Sequence, residues 1–161
     1  MMKTNFHKMI ATAFGAGYFP VAPGTAGAFV GILMLMGLHQ ITQSFGFDLS
    51  QFNLALIVAT LICFYLGVIA TDHLEKDWGK DPSKVVMDEV IGVWIAMFFV
   101  PVTMINLTLA FALFRLFDIW KPLFIRRLEK INGGWGVILD DVLAGVYANL
   151  VLQILLYLQL W

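Results

Sequence analysis

Residues 52–71 run for 20 positions without a charged side chain, and two more such stretches follow, 25 residues at 90–114 and 20 at 142–161. A helix of about 20 apolar residues is long enough to cross the hydrocarbon core of a bilayer, roughly 30 Å. The whole chain is 60% hydrophobic and 13% charged, with a mean hydropathy of +0.85. A soluble domain carries about 25% charged residues, so this chain has too little polar surface to cover itself in water. These runs predict an all-α, polytopic integral membrane bundle, formed as one domain over residues 1–161, with about five membrane helices.

Around the long runs lie shorter segments of different character. Residues 3–8 are basic and polar, and residues 14–27 ("FGAGYFPVAPGTAG") are too interrupted by Gly and Pro for one helix. The same interruptions break the N-terminal apolar stretch before the h-region of a cleavable signal peptide can develop. A helix starting near Thr25 and ending near Ile41 has about 17 residues, a short span of roughly 25 Å. Residues 43–51 read as a loop. Residues 72–89 and 115–141 are the two charged segments, and the last helix is expected over 142–161.

The run at 90–114 allows two topologies. As one straight span it separates the charged segments across the bilayer; as two short helices hinged at 101–106, around Pro101, it returns them to one side. All Lys and Arg residues fall within 3–8, 76–84 or 115–130. Cytoplasmic loops concentrate Lys and Arg, so the hairpin is favoured, with all three segments on a common cytoplasmic face. Each leg must then borrow a turn from its charged neighbour, which puts Asp88 and Glu89 inside a helix near the interface. Carboxylates there are costly unless paired or metal-bound.

Three acidic groups stand at membrane boundaries: Asp88 with Glu89, Asp118, and Asp140 with Asp141, this last pair read as opening the final helix. Acids at helix N-termini complement the macrodipole and anchor the interface, which suffices for one pair. Two doublets plus Asp118 ask for more. Small residues follow both doublets (Gly92; Ala144 and Gly145) and permit close helix approach, which draws the carboxylates together. A hard divalent cation with oxygen ligands offsets their repulsion, and Mg²⁺ suits carboxylates plus water. Arg115 and Lys121 flank Asp118 in "RLFDIWKP" and fit a phosphate, whereas Arg126 and Arg127 read as interface anchors. "GAGYFPVAPGT" offers Gly24 and Thr25 at a helix start, where backbone N–H groups bind anions. "NGGWG" at 132–136 reads as a tight turn in preference to a headgroup-contacting loop. Asp72, Asp77 and Asp81 are weaker candidates; Asp81, before Pro82, shapes a turn or caps the next helix.

Other chemistries are absent from the sequence. Net charge is −1 and no nucleic-acid-binding motif is present. There is no GxxxxGK[ST], HExxH or GxSxG. Cys63 lies in an apolar run without the arginine-bearing loop of a cysteine phosphatase, and reads as a small hydrophobe. His7, His39 and His73 lack paired spacing for zinc, and His73 reads as an interface residue.

In order, "GAGYFPVAPGTAGAFVG", "DPSKVVMDEVIGVWIAM", "FRLFDIWKPLFIRRLE" and "GGWGVILDDVLAGVYANL" closely resemble the phosphatidylglycerophosphatase A family. The blocks cover about half the chain and bracket most of it. The resemblance implies a bacterial inner-membrane, Mg²⁺-dependent lipid phosphatase, its site facing the cytoplasm. Its substrate would be phosphatidylglycerophosphate, presented by the membrane lipid, and its products phosphatidylglycerol and phosphate. The family's motif acids fall on Asp88, Glu89, Asp118, Asp140 and Asp141, with Lys121 in the same block and Pro23, Gly24 and Thr25 in the N-terminal loop. Asp88, Glu89, Asp140 and Asp141 are expected to hold one or two Mg²⁺ ions, with Asp118 as a further ligand or as the base that orients water. Lys121 or Arg115 is expected to neutralise phosphoryl oxygens. Two other readings stay open: a CDP-alcohol phosphotransferase, although its D-x-x-D-G signature is missing, and an ion or solute carrier.

Overall fold

The computed structural model describes residues 2–80 and 82–159; Asp81 lies outside them. The described residues form seven α-helices and one short 3₁₀ turn, with no strand. The α-helices are α1 (Met2–Ala11), α2 (Pro23–Ser44), α3 (Leu49–Trp78), α4 (Met87–Ala96), α5 (Met104–Trp120), α6 (Ile125–Leu128) and α7 (Gly134–Tyr157).

Among the described residues, only α2, α3 and α7 are long and apolar enough to cross a membrane. The uncharged run at 90–114 is divided between α4 and α5 by a turn, and at about 1.5 Å per residue the ten residues of α4 rise only about 15 Å. Three helices of spanning length and the two shorter legs of a hairpin thus make up the bundle, and the expected five full spans are shown only for α2, α3 and α7. The hairpin itself is as the charge pattern predicts: Glu89 near the start of α4 lies 3.8 Å from Arg115 near the end of α5, so the chain returns to the side it left.

α4 sits at the centre, every residue buried except the half-buried Glu89. A helix apolar on all sides belongs inside a bundle, and α2, α3, α5 and α7 surround this one. Glycines set the approach on two sides. A Cβ on Gly27 would meet the Val86 side chain at 2.6 Å, and one on Gly31 would meet Val93 at 2.7 Å. The Trp94 indole then donates to the Gly31 carbonyl at 2.8 Å, tying α4 to α2.

The tip of the hairpin is exposed at Phe99 and Met104, yet the backbone groups that face the bundle take side-chain partners from α3 and α7, as groups shielded from water must. Asn149 Nδ2 donates to the carbonyls of Ala96 and Phe98 at 3.0 and 2.9 Å. Gln153 also donates to Phe98 at 3.1 Å. The Phe99 N–H, in a left-handed residue (φ 61°), donates to Asn53 Oδ1 at 2.6 Å.

Several helix boundaries differ from those expected. α2 begins at Pro23, putting Gly24 and Thr25 in its first turn; Pro at the first helical position loses no bond. α3 continues past residue 71 to Trp78, carrying Asp72 and His73 in its last turns. α7 begins at Gly134, eight residues before 142, so Asp140 and Asp141 lie in its second turn and do not open it. Of the residues read as a tight turn at 132–136, only 132 and 133 precede the helix, and 134–136 form the first turn of α7; Gly134 N–H donates to Asp72 Oδ1 at 2.6 Å, which caps α7 from α3. The basic start folds as helix α1 beside α3, with His7 stacked on His73 at 4.3 Å between ring centroids and Lys8 over the Trp78 ring.

Candidate active site

Where α2, α4 and α7 begin and α5 ends, the bundle opens into a cavity of about 270 Å³. α2 contributes Pro23 and Gly24, α4 Asp88 and Glu89, α5 Arg115 and Asp118, and α7 Asp140 and Asp141; Lys121 enters from the turn after α5. Five carboxylates and two cations thus converge from segments up to 53 residues apart in sequence.

Glycine contacts bring the acids together. A Cβ on Gly92 would meet the Phe114 ring and, at 2.9 Å, the Asp141 carbonyl oxygen; Gly145 packs against the Gly92 carbonyl with no room for a side chain. α4 and α7 therefore touch one turn beyond Asp88 and one turn beyond Asp141. Carboxylate oxygens of Asp88, Glu89 and Asp141 consequently lie within 4.8 Å of one another. Asp88 and Asp141 are only 8% and 4% exposed. Uncompensated negative charge at that burial is expensive. Glu89 Oε2 has no hydrogen-bond partner, and Asp88 Oδ1 accepts from the Glu89 N–H at 3.1 Å.

The other two acids are paired with cations. Arg115 Nη1 lies 2.7 Å from Asp118 Oδ2, one helical turn away. Lys121 Nζ donates to Asp140 Oδ2 at 2.8 Å and to Glu129 Oε1 at 2.6 Å, while Asp140 Oδ1 has no partner. Lys121 adopts a left-handed conformation (φ 49°) as the C-cap of α5, uncommon for a residue with a side chain. Pro122 prevents the helix from continuing, and the reversal brings Lys121 back over the cavity. Burial works against its charge, but the hydrogen bonds to Asp140 and Glu129 outweigh that and hold the ammonium above its ordinary pKa.

The cavity gathers Gly24, Asp88, Glu89, Arg115, Asp118, Lys121, Asp140 and Asp141 from the residues singled out in the sequence. Gly24 sits where a Cβ would strike the Glu89 carboxylate, so the first turn of α2 rests directly on that acid. Thr25 is not brought in; it is exposed and lines a separate apolar groove with Phe29 and Phe111. Asp140 faces Lys121 and stands outside the close trio of Asp88, Glu89 and Asp141. Sequence reasoning missed Ser83, which lines the cavity from the turn before α4, and Glu129, the second partner of Lys121. The "DPSK" turn and the "RRLE" end carried both, without a spacing that marks them.

A helical bundle with three helices of membrane-spanning length, and an acid-rich, cation-edged cavity at one end, fits the class of membrane-associated helical proteins with a charged site at one end of the bundle. The chain belongs to the phosphatidylglycerophosphatase A family, whose sequence model matches residues 9–156, and is a phosphatase by that membership. A Bacteroides thetaiotaomicron protein, provisionally named a phosphatidylinositol-3-phosphatase, is 42% identical over 149 residues, 91% of each chain. Phosphatidylglycerophosphatase A of Haemophilus influenzae is 36% identical over 94% of this chain and 90% of its own. The Escherichia coli K12 protein of the same name is 34% identical over 86% and 76%. No solved structure matches the chain. The phosphotransferase and carrier readings give way to this membership.

Proposed function

We propose that the protein hydrolyses the terminal phosphate monoester of phosphatidylglycerophosphate to phosphatidylglycerol and phosphate, at the cytoplasmic face of a bacterial inner membrane. The observation that carries this reading is the cavity itself. Buried carboxylates and two cations meet at the end of the bundle where the Lys- and Arg-bearing segments gather, which is the level of a lipid headgroup.

The donor set suits Mg²⁺. Asp88, Glu89 and Asp141 offer hard oxygen ligands within 4.8 Å of one another, and the unpartnered Glu89 Oε2 has no protein donor to compete for it. Bound there, Mg²⁺ would neutralise charge on the transferring phosphoryl group and favour ionisation of a nearby water. Asp140 is a ligand in this reading only if Lys121 releases it.

The chain's own residues do the rest. Arg115 and Lys121 bind equatorial phosphoryl oxygens, where charge accumulates in the transition state. Lys121 keeps its proton, its pKa being raised by its two carboxylate partners, so it serves as a fixed charge and not as an acid. Asp118, oriented by Arg115 at 2.7 Å, accepts a proton from the attacking water as the new O–P bond forms. The bond from phosphorus to the glycerol oxygen breaks in line, and that oxygen takes a proton from water at the cavity mouth. The acyl chains stay in the bilayer.

A second substrate is favoured by one observation, the 42% identical relative named for a phosphoinositide 3-monoester. Both lipids present a phosphate monoester beyond a phosphodiester. Phosphate release from each, by the purified protein in mixed micelles with Mg²⁺ and then with chelator, separates the two. Turnover of phosphatidylglycerophosphate that is Mg²⁺-dependent and faster than that of phosphatidylinositol 3-phosphate is expected; the reverse preference transfers the assignment to the inositol lipid.

A further inference from the structure

Beside the catalytic cavity lies a second, larger hollow of about 680 Å³, walled by Phe117, Tyr147, Leu150 and Val151, with Lys121 and Arg126 at one end. Lys121 lines both this groove and the acid cavity, so the two adjoin at that side chain. We propose that the groove binds the diacylglycerol end of the substrate lipid, and that Arg126 binds the phosphodiester joining it to the headgroup. This rests on the lipid monoester phosphatase reading above.

Direction is the first argument. α7 carries Asp140 in the catalytic cavity and Leu150 and Val151 in the groove. At about 1.5 Å per residue, Val151 stands roughly 16 Å beyond Asp140 along a helix of membrane-spanning length. The groove therefore runs from the interface into the bilayer, as an acyl chain does, with its cations at the headgroup end.

Charge is the second. Arg126 is exposed and makes no ion pair among the described residues. Neighbouring Arg127 instead stacks over Phe124 at 4.9 Å and does not line the groove. In the substrate a three-carbon glycerol separates the two phosphates. With the monoester beside Arg115 and Lys121, the diester must lie just outside the cavity, and through Lys121 the way out leads to Arg126. A guanidinium suits a phosphodiester, which keeps its charge at every physiological pH. The competing apolar groove lined by Phe29 and Phe111 has no cation in its wall.

The test separates the two phosphate subsites with two ligands measured by calorimetry in detergent with Mg²⁺: inorganic phosphate for the cavity and dihexanoyl phosphatidylglycerol for the groove. Arg126→Gln is expected to weaken the lipid about tenfold, the value of one charge-assisted hydrogen bond, and to raise KM for phosphatidylglycerophosphate similarly. Its affinity for inorganic phosphate stays as in wild type. Leu150→Trp, which fills the groove, is expected to weaken the lipid alone, whereas Arg127→Gln leaves both ligands unaffected. The proposal is overturned if wild type does not bind the lipid, or if Arg126→Gln and Leu150→Trp bind it normally. Equal weakening of both ligands, an equal effect of Arg127→Gln, or a lipid defect in Ala26→Trp in place of Leu150→Trp also overturns it. Lipid binding that depends on Arg126, in a protein that releases no phosphate from any lipid, would leave the groove standing and remove the phosphatase reading.

Discussion

Gly145 crosses α4 against Gly92 so closely that a Cβ on Gly145 would run into the Gly92 carbonyl oxygen. Gly92 lies one turn after Asp88, and Gly145 one turn after Asp141. The crossing thus fixes how near the two acids come, and site geometry and bundle stability share one contact. Gly145→Ala should force the helices apart at an overpacking cost of about 1–3 kcal/mol, read as a melting midpoint lower by roughly 2–12 °C. Turnover should fall with it because the acids no longer converge. An unchanged midpoint would mean that α4 and α7 tolerate separation and that the glycines do not set the site.

Asp88 and Asp141 face each other across that crossing. Asp88→Asn and Asp141→Asn keep the shape and remove one negative charge each. Turnover should drop by about 10²–10³, the scale of losing one charge-stabilising group in an active site, while elution from a sizing column is unchanged. Binding to the folded state raises stability by mass action. Mg²⁺ should therefore raise the wild-type melting midpoint and do so much less in either variant. Wild-type turnover in both folded proteins would sink the carboxylate assignment.

Lys121 offers a way to separate structural from functional roles. Lys121→Met leaves Asp140 buried without its cation, which should destabilise the fold by about 1–3 kcal/mol and weaken inorganic phosphate. The double variant Lys121→Met/Asp140→Asn removes the stranded charge. Its thermal stability should recover while phosphate affinity stays low. Recovery of both would show that Lys121 serves only to neutralise Asp140.

Much of this arrangement is legible in the sequence because bilayers constrain charge so tightly. With Lys and Arg confined to three short segments, one common face follows, and Pro101 within an uncharged run makes the hairpin the way to reach it. The small residues after each acidic doublet also announce the close α4–α7 contact. Hydropathy, however, reports where apolar side chains are, not where a helix ends. α7 continues back through Asp140 and Asp141 to Gly134 because Lys121 pairs with Asp140, and Asp72 caps the new start; neither partner is near in sequence. α3 runs on through Asp72 and His73 because α1 packs beside it, a contact that local pattern cannot show. Thr25 shares a turn with Gly24, but successive helix positions point about 100° apart, so one meets Glu89 and the other the apolar groove.

Asn149 tests whether the hairpin depends on side-chain amides at its tip. Its Nδ2 supplies both the Ala96 and Phe98 carbonyls, and Gln153 reaches only Phe98. Asn149→Leu would leave the Ala96 carbonyl in the turn without that donor, away from water. A buried polar group left unsatisfied costs about 1–3 kcal/mol, so unfolding in detergent should begin at lower denaturant or temperature. Because the tip holds α4 in register along α7, turnover should also fall, although residue 149 lies well away from the acids. Asn149→Asp keeps the shape but offers at most one donor, and should be impaired as well. If Asn149→Asp matches wild type in both stability and turnover, hydrogen bonding at the tip is not what holds α4 in place, and packing of Val93, Ile95 and Met97 alone must do so.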